Sequence, residues 1–512
     1  MSNPTDVSNR WLDAMRDLVG RTAQTVRQSL AMADRVVQNA AELVAGLDRD
    51  ARSVARDAVQ LWATVAEAGR EMQAHAQATP RMTRVLGEVV RLAGAYRLYN
   101  LKAPFLAPEA AKAALDATHR REAARVRAFC EELGGGVLKV GQFLSCRADL
   151  LPEPWLAELS LLQDRVPPEP PEVIAAFLEA ELGGPLAEKL PGFDVTPIAA
   201  ASLAEVHVAR LPDGTPVAVK VQRPGIAEVI ATDRRALSMV AELLASLVPQ
   251  VDGRTVAREL ARSLEDELDY RAEADHAEAF AAALGHLGVI VPRIHREVST
   301  GRVLVMELVE AERLNDFLLG SLTREGGEAQ REKVLETLAR ATAEAVLVHG
   351  LIHADPHPGN FLVASDARLV LLDFGAVARL TDDERRGYVE LLPLVFAGDV
   401  TRATALVEKL GFAADDPAVP MMYVREVVAS VLASQDLSTI DPRAEMERGL
   451  ALAQAHPGLK VPAHFVQLGR SLAGLAGLFF AYKPKLALGR IMLETLVRAA
   501  AVPPPSAEPG PS

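Results

Sequence analysis

Two short stretches carry residue types that could do chemistry together. The first is His353-Ala354-Asp355-Pro356-His357-Pro358-Gly359-Asn360, which sets Asp355 and Asn360 five positions apart. The second is Asp373-Phe374-Gly375, delivered by an apolar run over 369–372. Transfer of a phosphoryl group from a nucleoside triphosphate needs a divalent cation to neutralise the β and γ oxygens as the group leaves. Mg²⁺ takes hard oxygen donors, and an Asp with an Asn supplies them. A further carboxylate must face the nucleophile, to orient it or accept its proton. In this pattern Asn360 and Asp373 hold the metal and Asp355 faces the acceptor.

The Asp-x-x-x-x-Asn spacing by itself reads more readily as a turn, because Asp and Asn side chains bond their own backbone there. His353 two positions before the Asp, the His-Pro-Gly insert and the strand ending in Asp-Phe-Gly move the reading to phosphotransfer, since together they follow the kinase signature set. His353 is read as bracing the loop, not as a base.

Upstream elements must position these loops. Residues 206–211 and 217–221 flank Pro212-Asp213-Gly214-Thr215, an antiparallel hairpin with Asp-Gly at its turn. Most strand lysines point to water, but Lys220 in Val217-Ala218-Val219-Lys220 follows the third strand of a kinase, whose lysine steadies the α and β phosphates. Ahead of the hairpin, where a kinase carries a glycine-rich loop, stands Ala199-Ala200-Ala201-Ser202. Alanine cannot enter the positive-φ conformations open to glycine. The loop is therefore expected to keep nucleotide binding while altering the transfer geometry.

A long helical stretch over 226–284 carries Glu267, Asp269 and Glu273 on an acidic face that is otherwise solvated. A kinase needs one helix carboxylate to pair with the strand lysine, and Lys139 needs a counter-charge. Glu267 with Arg271 is also a favourable i,i+4 helix pair, the competing structural account. Met306-Glu307-Leu308-Val309 is read as the hinge between lobes, whose backbone at Glu307 and Val309 meets an adenine ring. After Gly375 the chain returns to helix near Thr381 without an Ala-Pro-Glu segment, so a docking platform for a protein substrate is not expected.

With 512 residues, 49% of them apolar, the chain can bury a large core divided among several domains. A net charge of -13 and a pI near 5.5 argue against a nucleic-acid backbone as partner. Cys130 and Cys146 are too few for a disulfide framework and suit a reducing compartment. The first thirty residues lack the apolar core of a secretory signal. Ser471–Tyr482 is uncharged, but its twelve residues fall short of the ~20 that cross a bilayer.

Apolar or small residues recur with a helical period from Trp11 to Leu47, and a second such run covers 51–76. They predict a helical hairpin or coiled coil, or a face that docks on a membrane or partner. Gly134-Gly135-Gly136 precedes Lys139 but lacks the Walker pattern, and is read as a helix stop with close backbone approach. Val166-Pro167-Pro168-Glu169-Pro170-Pro171 marks a domain boundary.

Assembled in order, Lys139-Val140-Gly141-Gln142, Ala199–Ala201, Val217–Lys220, Glu267-Leu268-Asp269, His353–Asn360 and Asp373-Phe374-Gly375 resemble the UbiB/ADCK (AarF-domain) family of atypical kinases over residues 100 to 495. The resemblance implies an α+β, two-lobed protein-kinase-like fold with a helical extension across the active site. It implies that Lys220 binds phosphates with Glu273 as its helix partner, and that Asn360 and Asp373 hold Mg²⁺. Lys139 and Gln142 would enter the nucleotide pocket near Glu267 and Asp269. The implied domains are an amphipathic extension over 1–95, the extension bearing Lys-x-Gly-Gln over 96–184, an N-lobe over 185–310, a C-lobe over 311–500 and a disordered tail over 501–512.

The resemblance implies ATP and Mg²⁺ as cofactors, and the family is linked to ubiquinone and other isoprenoid-lipid metabolism. The implied partner is an isoprenoid lipid or quinone precursor, and the implied location is the cytoplasm or the surface of the inner membrane. Two other readings stand beside it. One is a small-molecule kinase of the aminoglycoside or choline kinase type, which lacks the Lys-x-Gly-Gln extension. The other is a nucleotide-gated module that holds lipids or partner enzymes with little turnover.

Overall fold

The computed structural model describes residues 80–145, 151–162, 167–234, 261–262, 264–354, 356–433, 448, 452, 456 and 458–502. The amphipathic runs expected within 1–79 and the tail from 503 lie outside the described residues. The chain divides into two compact units, Met1–Asp164 with Gly225–Leu264, and Arg165–Pro224 with Glu265–Ser512.

The described part of the first unit is helical: α1 (Pro80–Lys102), α2 (Pro108–Leu133), α3 (Gly135–Ser145), α4 (Glu153–Leu159) and residues 226–234. Proline at the first position of α2 gives up an N–H that has no helical partner anyway. Gly134, at φ 62°, ends that helix. The next two glycines are a packing device. A Cβ on Gly136 would lie 2.8 Å from Asp233 Oδ2. Asp233 is buried and takes two hydrogen bonds from Arg81, at 2.6 and 2.7 Å, while the same guanidinium donates to Leu133 O and Gly134 O. Gly141 is equally constrained, since a Cβ there would stand 2.5 Å from Leu162 Cδ1 and 3.1 Å from Cys130 Sγ. The glycine of Lys-x-Gly-Gln is thus where α3 closes on its neighbours. Trp155 Nε1 donates to Tyr96 Oη at 2.8 Å, and Tyr96 Oη meets His119 Nδ1 at 2.7 Å, tying α4, α1 and α2 together.

The second unit opens with α5 (Pro171–Leu182), followed by β1 (Ala199–Ala200), β2 (Ala204–Arg210), β3 (Pro216–Gln222), α6 (Tyr270–Leu284) and β4 (Val303–Glu307). The strands form an antiparallel sheet in the order β1-β2-β3-β4. The expected hairpin joins β2 to β3, with Gly214 at φ 89° in its turn. Along β3 the alternation of the strand sorts the side chains. Val217, Val219 and Val221 pack with Ile174, Leu178 and Leu190 on one face. Ala218 joins the core on the other face, the face of Lys220.

Next come β5 (Glu312–Arg313), α7 (Leu314–Gly320), α8 (Gly327–Leu347), β6 (Leu351–His353), β7 (Phe361–Val363), β8 (Leu369–Leu371) and β9 (Val377–Arg379). They pair as β5-β7-β8 and β6-β9. A full capping box, Thr381 with Glu384, starts α9 (Asp382–Ala397). Helices α10 (Val400–Lys409), α11 (Ala418–Ala433), α12 (Ala463–Tyr482) and α13 (Leu488–Ala500) follow. Helix α12 begins eight residues before the uncharged stretch seen in the sequence. Its 20 residues are long and apolar enough, by length and composition, to cross a membrane. Leu475, Leu478 and Phe479 of the same helix are nevertheless buried in the core.

The helical stretch expected over 226–284 is not continuous. Helical residues end at 266, and Glu267-Leu268-Asp269 form a turn. Asp269 then caps α6 by accepting from Arg271 N at 3.0 Å and Ala272 N at 3.1 Å. Glu267 and Arg271 are consequently not an i,i+4 pair on one helix.

Because no side chain at 141 fits without displacing Leu162, Gly141→Ala is expected to destabilise the first unit by about 1–3 kcal/mol. Urea unfolding of the full chain checks this, and an unshifted midpoint refutes the packing account.

Candidate active site

The centre of the site is a charge cluster on three elements of the second unit. Strand β3 sets Lys220 opposite Val206 and Leu304 and sends its ammonium towards α6. Its Nζ lies 2.5 Å from Glu273 Oε1 and 3.7 Å from Asp373 Oδ2. The ring of Tyr270, buried at the start of α6, stands with its centroid 5.1 Å from the same nitrogen, close enough for a cation–π contact. Glu273 is in the first turn of α6 and is 2% exposed.

Burial pushes the Glu273 carboxyl up to about 7, the Lys220 ammonium opposes that rise, and the neighbouring Asp373 charge adds to it. For Lys220 burial alone would favour the neutral amine, but Asp373 and Glu273 outweigh it and hold the ammonium above the ordinary lysine value. Ionised, one ammonium faces two carboxylates, so the cluster favours a further cation beside it.

The register of β7 and β8 brings Asn360 and Asp373 together. Phe361 pairs with Leu371, and Leu372 N donates to Asn360 O at 3.1 Å, so the two metal-type residues sit at adjoining strand ends. Asp373 is held on both sides. Gly375 N donates to its Oδ1 at 2.9 Å, and His353 Nε2 donates to its carbonyl at 2.8 Å. Phe374 is buried, with its ring centroid 5.2 Å from that of Phe280 on α6. His276, also on α6, donates from Nδ1 to Phe374 O at 3.2 Å. The Asp-Phe-Gly turn is thereby packed against the helix that carries Glu273. An amide and a carboxylate at adjoining strand ends are the hard donor set that Mg²⁺ accepts.

Asp355 lies outside the described residues. Ala199 and Ala200 pair with Val206 and Glu205, and Ala201 N bonds Ala204 O at 2.8 Å, so the alanine loop is a tight hairpin. Positive φ occurs at none of its residues. Ser202 is 2% exposed at its tip. Glu267 stands beside the turn, its Cγ 4.0 Å from where a Cβ on Gly375 would be. The carboxylate of Asp269 is engaged in capping α6. Glu307 ends β4, where its N–H donates to Arg293 O at 2.8 Å, and Val309 follows it half-buried. Lys139 and Gln142 are both half-buried on α3 of the other unit.

Four positioning residues escaped the sequence reading: Tyr270, His276, Gln222 and Arg223. Gln222 Nε2 donates to Leu268 O at 2.6 Å, fixing the turn that starts α6 to the strand of Lys220. The one available signal was the polar pair Gln222-Arg223 closing a strand of valines.

A family model, the ABC1 atypical kinase-like domain, matches residues 161–407. Across that stretch, just under half of the chain, the protein is similar to the ABC1 atypical kinase-like domain. Activity of bc1 complex kinase 8, chloroplastic, of Arabidopsis thaliana is 36% identical over 287 residues, covering 54% of this chain and 37% of that protein. AarF domain-containing protein kinase 1 of Xenopus laevis is 33% identical over 299 residues, covering 57% of each chain. The chain therefore spans little more than a third to just over half of the length of these curated relatives. The solved complex of a Mycobacterium tuberculosis protein with erythromycin has a TM-score of 0.53 and 27% identity, covering 73% of this chain and 94% of that one. The fold is accordingly kinase-like, a mixed arrangement of helix and sheet.

Removing either partner of the cluster has unequal consequences. Lys220→Met strands a buried carboxylate, whereas Glu273→Gln leaves Lys220 beside Asp373. The first is expected to lower stability by about 1–3 kcal/mol and the second by less. The Lys220→Met deficit shrinks as pH falls, because a protonated Glu273 needs no ammonium. Denaturation at two pH values tests both the order and the trend.

Proposed function

We propose that this chain binds a magnesium adenine nucleotide beside Lys220 and transfers or hydrolyses its terminal phosphoryl group, as an atypical kinase or ATPase. The observation that carries the reading is the Lys220, Glu273 and Asp373 cluster, with Asn360 at the adjoining strand end. Lys220 steadies the α and β phosphates, and Glu273 and Tyr270 hold its ammonium in place. Asn360 and Asp373 hold Mg²⁺, which when bound neutralises charge on the phosphoryl oxygens. Asp355 orients the acceptor, a role that rests on its spacing from Asn360. The backbone at Glu307 and Val309 receives the adenine.

In this reading the acceptor chemistry belongs to ubiquinone or another isoprenoid lipid. The protein is cytoplasmic and meets the inner membrane surface through the exposed side of α12, where Val466, Leu472 and Phe480 are unburied. A second reading, a binding module with little turnover, draws on the erythromycin complex of the Mycobacterium tuberculosis protein. Erythromycin binding without nucleotide turnover favours it.

ATP hydrolysis by the full chain, with and without Mg²⁺ and liposomes carrying a quinone-precursor mimic, separates the two. Asp373→Ala and Asn360→Ala are each expected to lower Mg²⁺-dependent turnover about 10²- to 10³-fold, the scale of a lost transition-state charge contact. A rate unchanged by either substitution removes the catalytic assignment. Flotation with the liposomes tests the membrane contact, and a chain that stays at the bottom of the gradient rejects it.

A further inference from the structure

Arg223 follows Lys220 by three residues and stands just past the end of β3, with its guanidinium beside Glu205 of β2. At 7% exposure it is a buried charge, stable only if its donors are paired. Its Nε donates to Ala201 O at 2.9 Å. Its two terminal nitrogens donate to Glu169 Oε1 and to Pro167 O, each at 2.9 Å. The backbone N–H of Arg223 donates to Leu203 O, also at 2.9 Å. Glu205, fully buried on β2, lies 3.4 Å from the guanidinium and accepts from Glu169 N at 2.6 Å, which closes the ring. One arginine thus grips both sides of the Ala201–Leu203 turn and fastens it to the proline-rich segment ahead of α5.

We propose that Arg223 is a positioning residue that sets the height of the Ala199–Ser202 loop over the phosphates, and so discriminates nucleotides by phosphate number. Strand β1 is only two residues long, so its pairing with β2 offers the loop little support of its own. Without glycine φ freedom the loop moves as a body, and its place depends on what holds it from behind. Lys220 serves the inner phosphates, so a released loop costs the outermost phosphate more contact than the others. This inference rests on the nucleotide reading above.

The test is calorimetric titration of the full chain with Mg²⁺ and either ADP or a non-hydrolysable ATP analogue. In Arg223→Gln the ratio of the analogue Kd to the ADP Kd is expected to rise about three- to tenfold, a fraction of a charge-assisted hydrogen bond. Arg223→Lys should recover part of that shift, because it keeps the charge but not the fork. Glu169→Gln, which removes one arm of the clamp, should move the ratio the same way by less, and it decides the matter if Arg223→Gln does not fold. A ratio unmoved in the folded variants, or an equal loss for both nucleotides, overturns the role of Arg223 alone. A wild-type chain that binds neither nucleotide overturns the nucleotide reading with it.

Discussion

A half-buried ammonium held between two carboxylates is the constraint on which the described site depends. Lys220 keeps its charge in this half-buried place because Glu273 and Asp373 lie 2.5 and 3.7 Å from it. Those three groups come from a strand, a helix and a turn far apart in sequence. Bringing them together therefore demands that the sheet, α6 and the Asp-Phe-Gly turn all hold their places. The surplus negative charge that results is what makes the cluster hospitable to a cation.

Each of those elements is held by bonds that do no chemistry themselves. Gln222 fastens β3 to the turn before α6, and Asp269 caps the helix so that Glu273 falls in its first turn. His276 and Phe280 of α6 reach the carbonyl and the ring of Phe374, linking helix and turn directly. Arg223 works on the alanine loop while Lys220, three residues earlier, faces the cluster. Strand β3 and the residue that follows it thus serve both the cluster and the loop.

Glycine in this chain divides between turn chemistry and close packing. Gly214 supplies the positive φ of the hairpin turn. Gly136 and Gly141 are needed for a different reason, since a Cβ on either would meet Asp233 or Leu162. The Lys-x-Gly-Gln motif therefore serves packing as well as any role of its polar residues. The pale signature of Gly134-Gly135-Gly136, which could suggest a phosphate cradle, is in the structure the seat of a buried Arg81–Asp233 pair.

Local patterns made much of this legible. Strand alternation with Asp-Gly foretold β2 and β3, Gly134 marks a helix end, and Asn360 and Asp373 were read as a metal-type pair. The continuous helix over 226–284 misread the sequence because periodicity cannot register a carboxylate turning back to cap the next helix. Tyr270, Gln222 and Arg223 gave little signal for a related reason: nothing in a residue's type says that its partner lies tens of positions away. The sequence by itself determined the local elements on which Lys220, Glu273, Asn360 and Asp373 stand. Only the tertiary structure decided that Lys220, Glu273 and Asp373 meet and that Arg223 is buried behind the loop, because those facts are distances between elements, set by packing.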